Sequence, residues 1–174
     1  MNESLTTNGE PDEIIARAGD VAADEFPTGV LDGIRRMAGG ELTPEAMQRL
    51  TPDQITLWGY AILREEVMDG GFVQLIHNGY GPFFFFNPFA KIMRLWGIDE
   101  LARLMKKAKS LFMKYREPLT KECSDEEFMA LFEQYPEFDD LDDAFVEQEE
   151  DFTQLVARYV EEHPDSFSCR EQKV

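Results

Sequence analysis

The chain has 174 residues, 43% of them apolar and 14 of them phenylalanine, which suffices for the core of one domain and speaks against global disorder. Its 35 acids against 17 bases leave a formal net charge of −18. Such a balance speaks against direct binding to nucleic acid or to an anionic membrane, both of which require a basic surface, and fits a basic protein partner.

In chain order, residues 1–10 are polar and expected to be flexible. Pro11 opens a predicted helix on which Ile14, Ile15, Ala18, Val21 and Ala22 repeat at helical spacing. Thr28 is the expected cap of a second helix through Met37, stopped by Gly39-Gly40. Two Thr-Pro pairs then predict helix starts, a short one at Thr43-Pro44 and a longer one from Thr51-Pro52 to about Met68. Gly70-Gly71 breaks the chain before "FVQLIHNGYG", a short helix ending near Asn78-Gly79. Asn87-Pro88 restarts helix to Trp96, and Gly97 stops it. Asp99 is the expected cap of "ELARLMKKAKSLFMKYR", which Pro118 closes. "SDEE" from Ser124 has capping-box spacing for a helix through Gln134, and the last long helix spans about 139–163.

No segment shows sustained strand alternation. The predicted fold class is all-α: a single-domain compact helical bundle of about seven to eight helices over residues 11–163. A long acidic helix closes it, and residues 164–174 are expected as an exposed C-terminal tail. In "PFFFFNPF" four consecutive phenylalanines cannot share one helix face, so one or two are expected at the surface, which points to a homodimer contact.

Charge is segregated along the chain. From Lys91 to Arg116 eight bases face Asp99 and Glu100 for a local net of +6, and from Glu122 to Glu162 sixteen acids face Arg158 alone, a local net of −15. Some docking of the basic helix on the acidic one, through Lys106, Lys107 or Lys109, is expected, but it leaves the acids in excess. On the last helix Phe138, Leu141, Phe145, Phe152, Leu155 and Tyr159 form a core-facing stripe with Gln148 in its one polar slot. Asp139, Asp143, Glu147 and Glu150 or Asp151 make one outward row, and Asp142 and Glu149 another. Like-sign neighbours on a helix cost about 0.2–0.5 kcal/mol each, so a merely solubilising face would mix in lysines. The candidate partner-binding residues are therefore Asp139, Asp140, Asp142, Asp143, Glu147, Glu149, Glu150 and Asp151.

The middle of the chain, "REEVMDGGFVQLIHNGYG", carries Glu66, Val67, Asp69, Gly70, Gly71, Phe72, Gln74 and Asn78. This resembles the DNA-mimic protein family, small acidic bacterial proteins whose recurring pattern is Glu-Val, a short Asn- or Asp-rich step, Gly-Gly-Phe, then Gln and Asn in the following helix. The likeness extends upstream over "LTPEAMQRLTPDQITLWGYAILREE" and downstream over the acidic closing helix, about residues 40–163. Asp69 stands where the family often has Asn, and Leu75 where an aromatic commonly follows the Gln. The resemblance implies an all-helical dimer that occupies a helix-turn-helix regulator and keeps it from its operator. Related domains also occur in settings of toxin immunity, so an immunity protein neutralising a basic nuclease toxin is the alternative. For Glu66, Gly70, Gly71, Phe72, Gln74 and Asn78 the expected role is structural, with Gln74 and Asn78 bonding nearby loop backbone.

No enzyme is expected. GxSxG, P-loop and GxGxxG stretches are absent, and Cys123 sits in an anionic run that disfavours a thiolate. No cofactor or metal is expected either. His77 and His163 pair with no cysteine at ligand spacing, and a calcium loop begun at Asp140 has Ala144 and Phe145 where a ligand and a glycine belong. Two cysteines without a framework, and an N-terminus lacking a basic and an apolar region, predict a reduced, cytoplasmic setting.

Overall fold

Local capping chemistry sets most of the helix starts. A computed structural model describes residues 26–169, so the polar N-terminus and the helix expected from Pro11 lie outside the described residues. Within them run α1 (Thr28–Ala38), α2 (Pro44–Met47), α3 (Pro52–His77), α4 (Gly81–Phe86), α5 (Phe89–Leu95), α6 (Asp99–Thr120) and α7 (Asp125–Gln134). A 3-10 turn (Pro136–Phe138) leads into α8 (Asp139–Glu162), and α9 (Pro164–Phe167) follows. No strand occurs among the described residues, and the fold is all-α. The short helices α4 and α9 raise the number of elements above the sequence expectation.

Thr43 accepts the Ala46 N–H, and Thr51 and Ser124 each close a capping box with Gln54 and Glu127 respectively. Two expected caps are corrected. Thr28 is already the first helical residue, its hydroxyl donating to the Phe26 carbonyl at 3.0 Å. Asp99 likewise lies inside the first turn of α6 after Ile98, where its charge meets the helix dipole. Pro118 does not end α6. It sits within the last turn, where only one backbone bond is lost, and fully buried Leu119 holds that turn in place.

α3 is the central element, packed on α1, α4, α6 and α8. Leu57, Tyr60, Leu63, Phe72, Leu75 and Ile76 are all fully buried along it. Phe84 and Phe85 enter the core while Phe86 stays 54% exposed. The expected tail is corrected at its start: Pro164 opens α9, and Phe167 is buried with its ring against Trp96 and Tyr159. Thr51 Oγ1 donates to the Ser166 carbonyl at 2.8 Å and Gln54 Nε2 to that of Ser168 at 3.3 Å, tying α9 to the start of α3.

Candidate functional site

The apolar stripe of α8 fixes which of its acids reach solvent. Phe138, Leu141, Phe145, Phe152, Val156 and Val160 are buried, whereas Leu155 and Tyr159 lie at the edge. Asp139, Asp140, Asp143, Glu147, Glu150 and Asp151 are exposed. Asp142 and Glu149 are not the outward row that the helical wheel predicted. They lie seven residues apart, close to two full turns, and both point at α3. Asp142 is half-buried, and Glu149 is 7% exposed.

Glu149 is ion-paired with Arg64 of α3, and its Oε1 also accepts the Thr153 hydroxyl at 3.0 Å. With that proton committed, Tyr60 donates to Thr153 Oγ1 at 2.8 Å. Burial pushes the Tyr60 phenol well above its ordinary range, so it stays a donor. The Arg64 guanidinium also lies 5.9 Å from the Phe26 ring centroid. The chain thus runs from buried Tyr60 through Thr153 and Glu149 to Arg64, whose side chain is 38% exposed at the edge of the seam.

Asp142 explains the double glycine. α3 bends at Gly70 (φ −144°) and Gly71 (φ +73°, ψ −174°), the latter in a region that side chains other than glycine's hardly enter. Past the bend the helix restarts, and the Phe72 N–H donates to Asp142 Oδ1 at 2.8 Å. Asp142 therefore caps, from another helix, the half of α3 that follows the bend. A Cβ on Gly71 would stand 2.3 Å from Asp142 Oδ2, and one on Gly70 would stand 2.0 Å from Gln74 Oε1.

The remaining motif residues bridge the bend. Gln74 Nε2 donates to Glu66 Oε2 at 3.2 Å and to Asp69 Oδ2 at 2.9 Å, and Asn78 Nδ2 donates to Glu66 Oε2 at 2.8 Å. Gln74 and Asn78 therefore bond the Glu66 carboxylate rather than loop backbone. Phe72 packs edge-on against Phe145 of α8. Glu66, Gly70, Gly71, Phe72, Gln74 and Asn78 together hold one joint, and this joint sets how α8 lies on α3.

Burial pushes the Asp142 carboxyl up to about 6, against the Phe72 N–H bond, which lowers it, and with help from the charges of Asp139 and Asp143. For a carboxyl raised on folding, the associated stability is fully present below its unfolded value near 3.8 and is lost as pH rises through about 6. Stability is expected to fall across that window by about 1 kcal/mol from this group, after allowance for solvent screening. Asp142→Asn keeps an acceptor for Phe72 and removes the charge. It should flatten that part of the pH profile in urea unfolding followed at pH 4, 5, 6 and 7, and a profile as steep as that of the native chain would refute the assignment.

The basic helix does not neutralise α8. The ion pairs among the described residues are Arg35–Asp32, Arg64–Glu149 and Arg103–Glu100, and none links Lys106, Lys107 or Lys109 to an acid. α6 packs against α8 and turns Leu101, Met105 and Ala108 into the core, while Lys106, Lys107 and Lys109 are exposed. Beyond the predicted set, Glu65 and Asp69 of α3 are exposed acids on the helix that packs against α8. Glu65 shares a groove with Glu149, a neighbourhood that the acid count in α8 could not disclose.

Elsewhere, His77 Nδ1 donates to the Leu119 carbonyl at 3.0 Å, with its ring tilted on Phe128. Among the described residues no group of three or more His, Cys, Asp or Glu converges as a metal site requires. Nor is any helix among them long and apolar enough to cross a membrane.

A family model described as "DMP19-like protein" matches residues 48–163, which include both the joint and all of α8. The chain is also 34% identical over 125 residues to the "DNA mimic protein DMP19" of Neisseria meningitidis serogroup B (strain ATCC BAA-335 / MC58). That alignment covers 71% of this chain and 76% of that protein.

Proposed function

The chain belongs to the DMP19-like protein family, and on that premise we propose that it is a non-enzymatic binding protein that mimics the charge of DNA. Its partner is a basic DNA-binding protein of the cytoplasm, a helix-turn-helix transcription regulator in the first instance, which it sequesters from duplex DNA. The observation that supports this reading best is the run of six exposed carboxylates on α8, none of them in an ion pair with another described residue. Asp139, Asp143, Glu147 and Asp151 recur every four residues, which spreads them over about 18 Å of helix. Duplex DNA carries one charge per ~1.7 Å of axis, so the helix is a coarser row of anions of the same sign. The bond from the Phe72 N–H to Asp142, made at the Gly70-Gly71 joint, fixes how that row lies on the bundle. Exposed Phe86 is where we place a contact between two copies of the chain.

The test is displacement of operator duplex from a purified helix-turn-helix regulator of the same host, followed by gel mobility shift at several salt concentrations. Reversing Asp143, Glu147 and Glu150 to Lys should abolish displacement, by at least a hundredfold at low salt, while the unfolding midpoint stays near that of the native chain. Reversing Glu41 and Glu45, which lie outside α8, serves as the control. Equal displacement by both variants would exclude the α8 face.

A further inference from the structure

One feature of the α8 face is not anionic. Val146 stands 51% exposed in the middle of the acidic run, and Met68 of α3 stands 45% exposed. Two contacts fix the register between these helices: Arg64 meets Glu149, and Phe72 meets Asp142. Eight residues forward on α3 thus match seven back on α8, so the helices run antiparallel and residue 68 lies opposite 145 and 146. Val67 and Phe145 take the core side of the seam at 2% and 0% exposure. Met68 and Val146, each one helical step round, fall on its outer side. Met68 also lines a groove of about 390 Å3 together with Glu149, Arg64 and Ala61, which places it beside the seam independently.

We propose that Met68 and Val146 form an apolar anchor point, rimmed by Glu65, Asp143 and Glu150 three or four residues away on the same helix faces, for a cationic helix that carries one aliphatic side chain at its centre. The inference rests on the functional reading above and narrows its partner surface. Charge complementarity selects the occupant: the three rim acids are exposed, and of the two guanidiniums among the described residues that line the groove, Arg64 is paired with Glu149 and Arg35 with Asp32. Helix stability does not account for Val146, because a β-branched residue is a poor choice at an exposed helix position. In duplex DNA a thymine methyl offers a comparable apolar spot between two rows of phosphates, and DNA-reading helices contact it with apolar side chains. Long-range attraction would bring the helix in, and burial of the aliphatic side chain on Met68 and Val146 would set its register.

The probe is a synthetic helical peptide with Lys and Arg on two flanking rows and a central Leu, beside a twin with central Ala. Binding to the full chain is read by fluorescence anisotropy at low salt. The Leu peptide should bind about tenfold more tightly than the Ala peptide. Met68→Gln with Val146→Thr, both near-isosteric and exposed, should reduce the Leu peptide to the level of its twin and leave salt-dependent binding intact. Equal binding of the two peptides to the native chain would overturn the anchor and leave the charge-mimic reading standing. Failure of both peptides to bind would overturn both. Sedimentation of the double variant guards against self-association: conversion of a native dimer into a monomer would show the patch to be the contact between copies, and the proposal would fall.

Discussion

Gly71→Ala is expected to destabilise the fold by about 3–5 kcal/mol, one of the two largest effects of any single substitution argued for this chain. Two costs add. The backbone at Gly71 (φ +73°, ψ −174°) is strained for any residue with a Cβ, at about 1–3 kcal/mol. The new methyl would also stand 2.3 Å from Asp142 Oδ2, so the carboxylate must retreat and release the Phe72 N–H. A charge-assisted bond of that kind is worth about 1.5–3 kcal/mol. Urea unfolding followed by far-ultraviolet circular dichroism measures the sum. A double variant separates the parts: with Asp142→Ala in place the clash is gone, so Gly71→Ala should then cost only the backbone strain. Strictly additive effects would mean that the carboxylate and the glycine do not depend on one another.

The same joint shows which parts of the structure the sequence discloses. Thr43, Thr51 and Ser124 announce their helices because a cap is settled within four residues, and local sequence contains all of it. Thr28 and Asp99 miss by one position because the residue before each, Pro27 or Ile98, is the one that leaves helical geometry. α9 was invisible for a different reason. Phe167 is held by Trp96 and Tyr159, and no short window contains all three.

For the acidic face, periodicity separates the apolar stripe of α8 from its acids. It cannot say that Asp142 and Glu149 belong with the stripe, because that depends on Gly71 and Arg64 some 70 to 85 residues earlier. Once α3 is in place the assignment follows from charge chemistry: one carboxylate goes to a free helix N-terminus and the other to a guanidinium. Of the eight acids on the candidate face, six remain exposed.

Arg64→Met is expected to cost about 3 kcal/mol or more, because it strands the Glu149 carboxylate at 7% exposure with only Thr153 to bond it. Loss of the guanidinium also removes its contact with the Phe26 ring. Replacing both partners, Arg64→Met with Glu149→Met, should recover most of that stability, since a well-packed apolar pair avoids the desolvation of two ions. Thermal unfolding of the two variants and the native chain decides the matter, and a double variant no better than the single one would show that Glu149 is not stranded. The pair also settles how charge reversals on α8 must be read. Glu149→Lys would set a second cation against Arg64 at a position only 7% exposed and destabilise the fold, and a lost interaction with any partner would follow from that alone. The apolar double variant removes the same acid without disturbing the fold. If it still displaces operator duplex from a regulator as the native chain does, Glu149 belongs to the architecture, and the anionic surface begins with the acids that flank it.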